Sequence, residues 1–192
     1  SKIDIPSLFH QDPLRQRILF SMHMDAIVQH LMAHVIEQNT LRLEAVFDGE
    51  RPVGSTRDMR TWYTTRVAEP TQRSQISHIV VDSGWEKYAA NVAETHPDVA
   101  AWAKNDHLGF HILYLWNGTK RKYIPDFLVL FKSGKTLVLE IKGEDSPQDQ
   151  AKRRAMDQWV QAVNAQGGLG IWAWDVVVGS MAAMQDVMAK HA

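Results

Sequence analysis

Tyr123-Ile124-Pro125-Asp126-Phe127-Leu128-Val129 is an apolar run broken by a Pro-Asp pair. A turn through Ser133-Gly134-Lys135 separates it from Leu137-Val138-Leu139-Glu140-Ile141-Lys142-Gly143. Both runs are rich in branched apolar residues and bounded by turn formers, so they read as two strands of one hairpin. Side chains alternate along a strand, which sets Glu140 and Lys142 on one face with Val138. The main-chain carbonyl of Ile141 lies between them. Pro125 has no N–H to give to a sheet ladder. Pairing is therefore expected to break beside Asp126 and leave a cleft.

Two carboxylates (Asp126 and Glu140) and the Ile141 carbonyl form a hard oxygen set, suited to Mg²⁺ with retained waters. Such an ion polarises a phosphate and lowers the pKa of bound water. Lys142 would place positive charge beside the attacking water and the charge that develops on phosphorus. A buried lysine can also drop in pKa and join proton transfer. The chemistry indicated is phosphodiester hydrolysis. The bare spacing arises by chance in roughly one chain in ten of this size, but the two apolar strands, Gly143 and a capped helix after it narrow the reading. The competing reading is a strand end with ordinary solvated charges.

Outward from this hairpin, residues 79–192 read as alternating helices and strands. Ser83 caps a helix running to Ala93, with Glu86 in capping-box position. Pro97–Lys104 reads as a short helix stopped by Asn105. Three strands follow, Phe110–Trp116, Tyr123–Phe131 and Thr136–Lys142. Ser146-Pro147 opens a long helix with the stripe Ala151, Ala155, Trp159 and Val163, ended by Gly167-Gly168. Ile171–Val177 is a last strand, and a closing helix carries Met181, Met184 and Met188. This order predicts an α/β structure with helices covering a mixed sheet.

Residues 1–78 read as a separate linking subdomain. Residues 13–38 have helical spacing, with Pro13 suited to a first turn. Leu41–Phe47 alternates as a strand turned by Asp48-Gly49, residues 49–60 read as a linker, and Thr61–Val67 as a second short strand. The chain has 192 residues, 45% of them apolar, enough for a domain with a proper core. Net charge is −1, so any nucleic-acid site must be a local basic patch. Cysteine is absent, which fits a reducing cytoplasm. No run of 18 apolar residues is present, so no membrane span is expected. The first residue, Ser1, reads as the start of a piece cut from a longer polypeptide or as a processed end.

The stretch from residue 83 to about 177 resembles the PD-(D/E)XK (restriction endonuclease-like) superfamily. More narrowly, Asp82-Ser83-Gly84-Trp85-Glu86, Val99–Asn105, Leu108-Gly109-Phe110, Tyr123–Phe127 and Leu139–Gly143 resemble the C-terminal endonuclease domain of type III restriction enzymes and their close relatives. Gly54–Asp58 and Thr61–Arg66 resemble the segment that precedes that domain. The resemblance implies a Mg²⁺-dependent endonuclease (with Mn²⁺ as a substitute) acting on double-stranded DNA. It implies metal ligands at Asp126 and Glu140, the lysine at Lys142, and the first-helix glutamate at Glu86. It further implies a DNA translocase in the same full-length polypeptide and a methyltransferase subunit as partner. Whether two copies pair to cut both strands is left open. Two alternatives remain: a nuclease of repair or recombination, and a non-cutting module that binds nucleic acid or mediates assembly.

Glu86 carries two readings. As a structural residue it closes the capping box with Ser83. It also shares a helix side with Ala89, Ala90 and Ala93, so close packing would bring its carboxylate to the sheet, where a metal or its water shell could satisfy it. Lys120-Arg121-Lys122 falls in the turn before the catalytic strand and could grip phosphates. Lys152, next to the apolar stripe of the long helix, could reach back to the cleft or to a phosphate. His30 and His34 have ligand spacing but no third ligand beside them, so they read as surface residues. Trp159, Trp172 and Trp174 fall on core-facing positions.

Overall fold

The computed structural model describes residues 13–39, 55–81, 83–142, 146–178 and 180–192. The expected strand at Leu41–Phe47, its Asp48-Gly49 turn, most of the expected linker, and Gly54, Asp82 and Gly143 lie outside them. So does the Met181 side chain. The chain divides into two compact units, Ser1–Arg42 and Leu43–Ala192. The first contains α1 (Pro13–Asn39), whose range matches the helical spacing of the sequence. His30 and His34 stack ring to ring there, with centroids 5.2 Å apart.

In the second unit a short 3-10 turn (Thr56–Asp58) precedes β1 (Ala68–Pro70) and β2 (His78–Val80), which pair antiparallel. The expected boundary after residue 78 falls inside β2, which pairs with β1. The intervening loop is also tied down. Glu94 accepts the main-chain N–H groups of Gln72 and Arg73 at 2.8 and 2.9 Å, and the Trp102 indole at 2.7 Å. The strand expected over Thr61–Val67 is absent: those residues are irregular and mostly exposed, with no sheet neighbour to satisfy their ladder groups.

The elements that follow are α2 (Gly84–Thr95), β3 (Val99–Lys104), β4 (Ile112–Trp116), β5 (Thr119–Tyr123), β6 (Phe127–Phe131), β7 (Lys135–Lys142), α3 (Pro147–Gln166), β8 (Ile171–Val178) and α4 (Met181–His191). A four-stranded sheet has the order β3-β6-β7-β8. Its first three strands are antiparallel, and β8 runs parallel to β7 through the α3 crossover. The mixed sheet and α/β class predicted from the sequence are both present.

Two expectations are corrected here. Val99–Lys104 is a strand and not a helix. Alanine favours helix, but six residues are too few for a stable one. Pairing with β6 instead buries Val99, Trp102, Ala103 and Lys104. Tyr123–Phe131 is not one strand either. It breaks at Ile124-Pro125-Asp126, and its first part pairs with β4 in a separate hairpin.

Alternation along β7 sorts the core into two layers. Leu137 and Leu139 face a cluster with Phe127, Val129, Phe131, the alanines of α2, and Met184 and Met188 of α4. Val138 faces the other cluster, with Ile112, Tyr114 and Tyr123 of the hairpin and Ala151, Met156 and Val160 of α3. Trp159, Trp172 and Trp174 pack at the edge of this second cluster. Glu140 and Lys142 continue the Val138 face, at the end of β7 where the sheet meets the start of α3.

Candidate active site

The break at Pro125 shapes the site. In the β6/β7 ladder Phe127 opposes Leu139. Continuing that register sets Asp126 opposite Glu140 and Pro125 opposite Ile141. The ladder ends before that pair: the Pro125 carbonyl turns to the Asn105 amide, and the Ile141 N–H donates to the Asp126 carboxylate at 2.7 Å. Asn105 clamps the corner from the end of β3. Its N–H donates to the Asp126 carbonyl at 2.8 Å, and its amide donates to the carbonyls of Pro125 and Phe110 at 2.9 and 2.8 Å. Its Oδ1 is buried without a hydrogen-bond partner among the described residues.

Glu140 is 8% exposed. One oxygen accepts the Tyr123 hydroxyl at 3.0 Å and the other lies 3.6 Å from the Lys142 ammonium. Burial, then the Asp126 charge, pushes the Glu140 carboxyl up to about 7. Burial likewise holds Asp126 above its ordinary range. The Glu86 charge adds to this, while the Ile141 N–H, Lys104 and Lys142 act against it. Burial, reinforced by the Glu140 charge, raises the Tyr123 phenol far above its usual value and keeps it a neutral donor. The two acids are therefore under-neutralised as built, which is the condition a divalent cation relieves.

Lys142 pairs with Asp149 in the first turn of α3. Burial lowers the affinity of Lys142 for its proton. The Asp149 bond and the charges of Glu140 and Asp149 outweigh that effect, so its pKa lies above the usual value. The sequence-based option of a lysine depressed by burial is corrected: Lys142 is held as a cation. Lys152 reaches back toward the cleft, 3.0 Å from Asp149 and 5.6 Å from the Tyr123 ring centroid.

Glu86 makes its ion pair with Lys104, and the charges of both act on Asp126. The Ser83 hydroxyl accepts the Glu86 N–H at 3.2 Å, so the helix cap forms. The Glu86 carboxylate lies 3.1 Å from the Lys104 ammonium. Lys104 is 3% exposed and also meets the Val80 carbonyl at 2.8 Å and Asp106 at 3.2 Å. The partner that a carboxylate near the sheet requires is thus a lysine at the end of β3. Nothing in the sequence marked Lys104, because its segment read as a helix.

Among the described residues no three acidic or histidine side chains converge as one ligand group. Asp126, Glu140 and the main chain at Ile141 nevertheless suit Mg²⁺, which takes one or two carboxylates and keeps several waters.

Lys120, Arg121 and Lys122 lie on strand β5 and are exposed. They do not form the turn, which is Asn117-Gly118 with both residues at positive φ. Lys120 and Lys122 oppose Leu115 and Leu113 of β4, both exposed. Ile112, Tyr114 and Tyr123 anchor the inner face of the hairpin to α3. An open cavity of about 370 Å³ lined by Asp58, Arg60, Trp62 and His107 contains none of the residues named above as catalytic or phosphate-binding. Among the described residues no helix is long and apolar enough to cross a membrane.

Comparison of the chain with models of known protein families, with characterised proteins and with solved structures gives no match.

Proposed function

We propose that residues 79–192 are a Mg²⁺-dependent DNA endonuclease domain of the PD-(D/E)XK kind, working in the cytoplasm in a type III-like restriction system. What supports the reading most is the half-buried Asp126 set against the buried Glu140 across the end of β6 and β7, each raised in proton affinity, with the Lys142 ammonium 3.6 Å from Glu140. The order of α2, the antiparallel β3-β6-β7, α3 and the parallel β8 supports it, because that superfamily's core runs helix, three-stranded meander, helix, strand. A translocase in the same polypeptide and a methyltransferase subunit are the partners this reading implies.

Asp126, Glu140 and the Ile141 carbonyl would hold the ion, with Glu86 acting through Lys104 at the edge of the site. Bound Mg²⁺ supplies a Lewis acid for the phosphate and a water of lowered pKa. The chain's own residues do the rest. Lys142 sets a fixed positive charge where negative charge grows on the phosphoryl oxygens. Tyr123 donates to Glu140 and fixes its rotamer. Asn105 holds the Pro125-Asp126 corner at the angle that turns Asp126 toward β7. Lys120, Arg121, Lys122 and Lys152 supply phosphate contacts that orient the duplex.

The direct test is incubation of supercoiled plasmid with the chain and Mg²⁺. Relaxed and linear DNA are expected, with none in excess chelator. Plasmid that stays supercoiled at micromolar protein with Mg²⁺ or Mn²⁺ would remove the proposal.

DNA binding gives an independent prediction. With Lys120, Arg121 and Lys122 all changed to alanine, the slope of log affinity against log salt is expected to fall by about 2 to 3 for a short duplex without divalent metal. An unchanged slope in fluorescence anisotropy would take β5 out of the interface.

A further inference from the structure

We infer that Asp149 is the positioning residue for Lys142: a helix-cap carboxylate whose second oxygen aims the active-site ammonium. The inference rests on the nuclease reading for what Lys142 does, but not for where Lys142 is held.

The geometry divides the Asp149 carboxylate into two halves. One oxygen serves the helix. Oδ2 accepts the Ser146 main-chain N–H at 3.0 Å and the Ser146 hydroxyl at 2.6 Å, satisfying the start of α3. The other oxygen serves the site. Oδ1 accepts from the Lys142 ammonium and from the Lys152 ammonium, the latter at 3.0 Å. A cap needs only the first pair of contacts. It does not require a carboxylate that is 5% exposed, nor two lysines converging on one oxygen.

Lys142 sits at the end of β7 on a long, flexible side chain, and its side chain is 17% exposed. Holding such a head in one place carries an entropy cost that only firm partners offset. Glu140 at 3.6 Å is beyond hydrogen-bond distance, which leaves Asp149 as the firm anchor among the described residues. Because Asp149 is bonded back to its own helix turn, it has little freedom to follow the lysine.

The contacts form a circuit. Tyr123 donates to Glu140, Glu140 faces Lys142, and Lys142 donates to Asp149. Asp149 accepts from Lys152, and Lys152 lies over the Tyr123 ring. Side chains from β5, β7 and α3 thus fix one another, and the docking of α3 on the sheet is coupled to the aim of Lys142. Supporting residues of this kind, which touch no substrate, commonly change activity by about 10- to 100-fold when removed.

The test uses the full chain and three variants: Asp149→Asn, Asp149→Glu and Ser146→Ala. The first readout needs no activity. Amine acetylation quantified by peptide mass spectrometry should label Lys142 several-fold more slowly than Lys120 and Lys122 in the unaltered chain. Asp149→Asn should erase that protection, and Asp149→Glu should restore part of it. Ser146→Ala, which loses the cap hydroxyl alone, should keep it.

The second readout is single-turnover plasmid cutting. Asp149→Asn is expected to lower the rate at saturating DNA, where a change in affinity no longer counts, by about 10- to 100-fold. Lys142 labelling as fast as the exposed lysines, or equal effects of Ser146→Ala and Asp149→Asn, would overturn the inference. If the unaltered chain does not cut, the nuclease reading fails, while the labelling result still decides where Lys142 is held.

Discussion

Asp126→Asn and Lys142→Ala are each expected to slow plasmid nicking by about a hundred- to a thousandfold, the range one electrostatic group contributes to catalysis, while the chain stays folded. The choice of asparagine at Asp126 follows from the structure. The carboxylate accepts the Ile141 N–H at 2.7 Å, and alanine would leave that donor unpaired at a cost of about 1–3 kcal/mol. An asparagine amide oxygen can still accept the bond, but it removes the charge that a cation needs. At Lys142, alanine leaves Asp149 bonded to Lys152 and Ser146, and leaves Glu140 bonded to Tyr123. No buried carboxylate is stripped of every partner, so loss of the cation is separable from loss of the fold. Nicking time courses paired with circular-dichroism melts check both halves. Cutting by both variants at the unaltered rate would mean that the break at Pro125 is a structural corner and nothing more.

The part of the site that was legible in the sequence is the part encoded by local rules. Pro125 has to end a ladder, and the alternation of β7 has to place Glu140, Lys142 and Val138 together. Both follow from one strand read by itself. The capped start of α3 was legible for the same reason, through Ser146-Pro147. Asp149, three residues after Ser146, belonged to that same capping pattern and could have been singled out from it, although not its bond to Lys142. Asn117-Gly118 was also readable as a two-residue hairpin turn between alternating segments. Recognising it would have placed Lys120-Arg121-Lys122 on a strand and divided Tyr123 from Phe127.

Val99–Lys104 was not legible. Its alanines favour helix, and only the neighbouring β6, distant in sequence, overrides them. The misreading spread from there. With that segment taken as a helix, Lys104 had no reason to point at Glu86, and Asn105 became a helix stop instead of the clamp on Pro125. Residues whose role depends on a non-local strand pair are the ones a single chain of letters hides.

Glu140→Gln is expected to abolish Mg²⁺-dependent cutting and, in metal-free buffer, to make the protein more stable at pH 8. The Glu140 carboxyl has an ordinary value of 4.5 and is pushed up to about 7 when folded. Between those values the folded state keeps a proton that the unfolded state releases, so stability falls as pH rises through the window. Above about 7 the cost is fully present, and below 4.5 it vanishes. At about 1.4 kcal/mol per pH unit, the gap bounds the cost at roughly 3 kcal/mol, and solvent screening brings it to about 1–3 kcal/mol. Glutamine carries no charge to desolvate, and its amide oxygen can still accept from Tyr123. The melting temperature of Glu140→Gln should therefore exceed that of the unaltered chain by about 2–10 °C at pH 8. The difference should close toward pH 4.5. Mg²⁺ should raise the unaltered chain at pH 8 and leave the variant unmoved, since only the former gains a ligand charge by losing its proton. A variant that melts at or below the unaltered chain at pH 8 would show that the Asp126 and Glu140 pair stores no unrelieved charge, and with that the argument for a cation at this corner would fail.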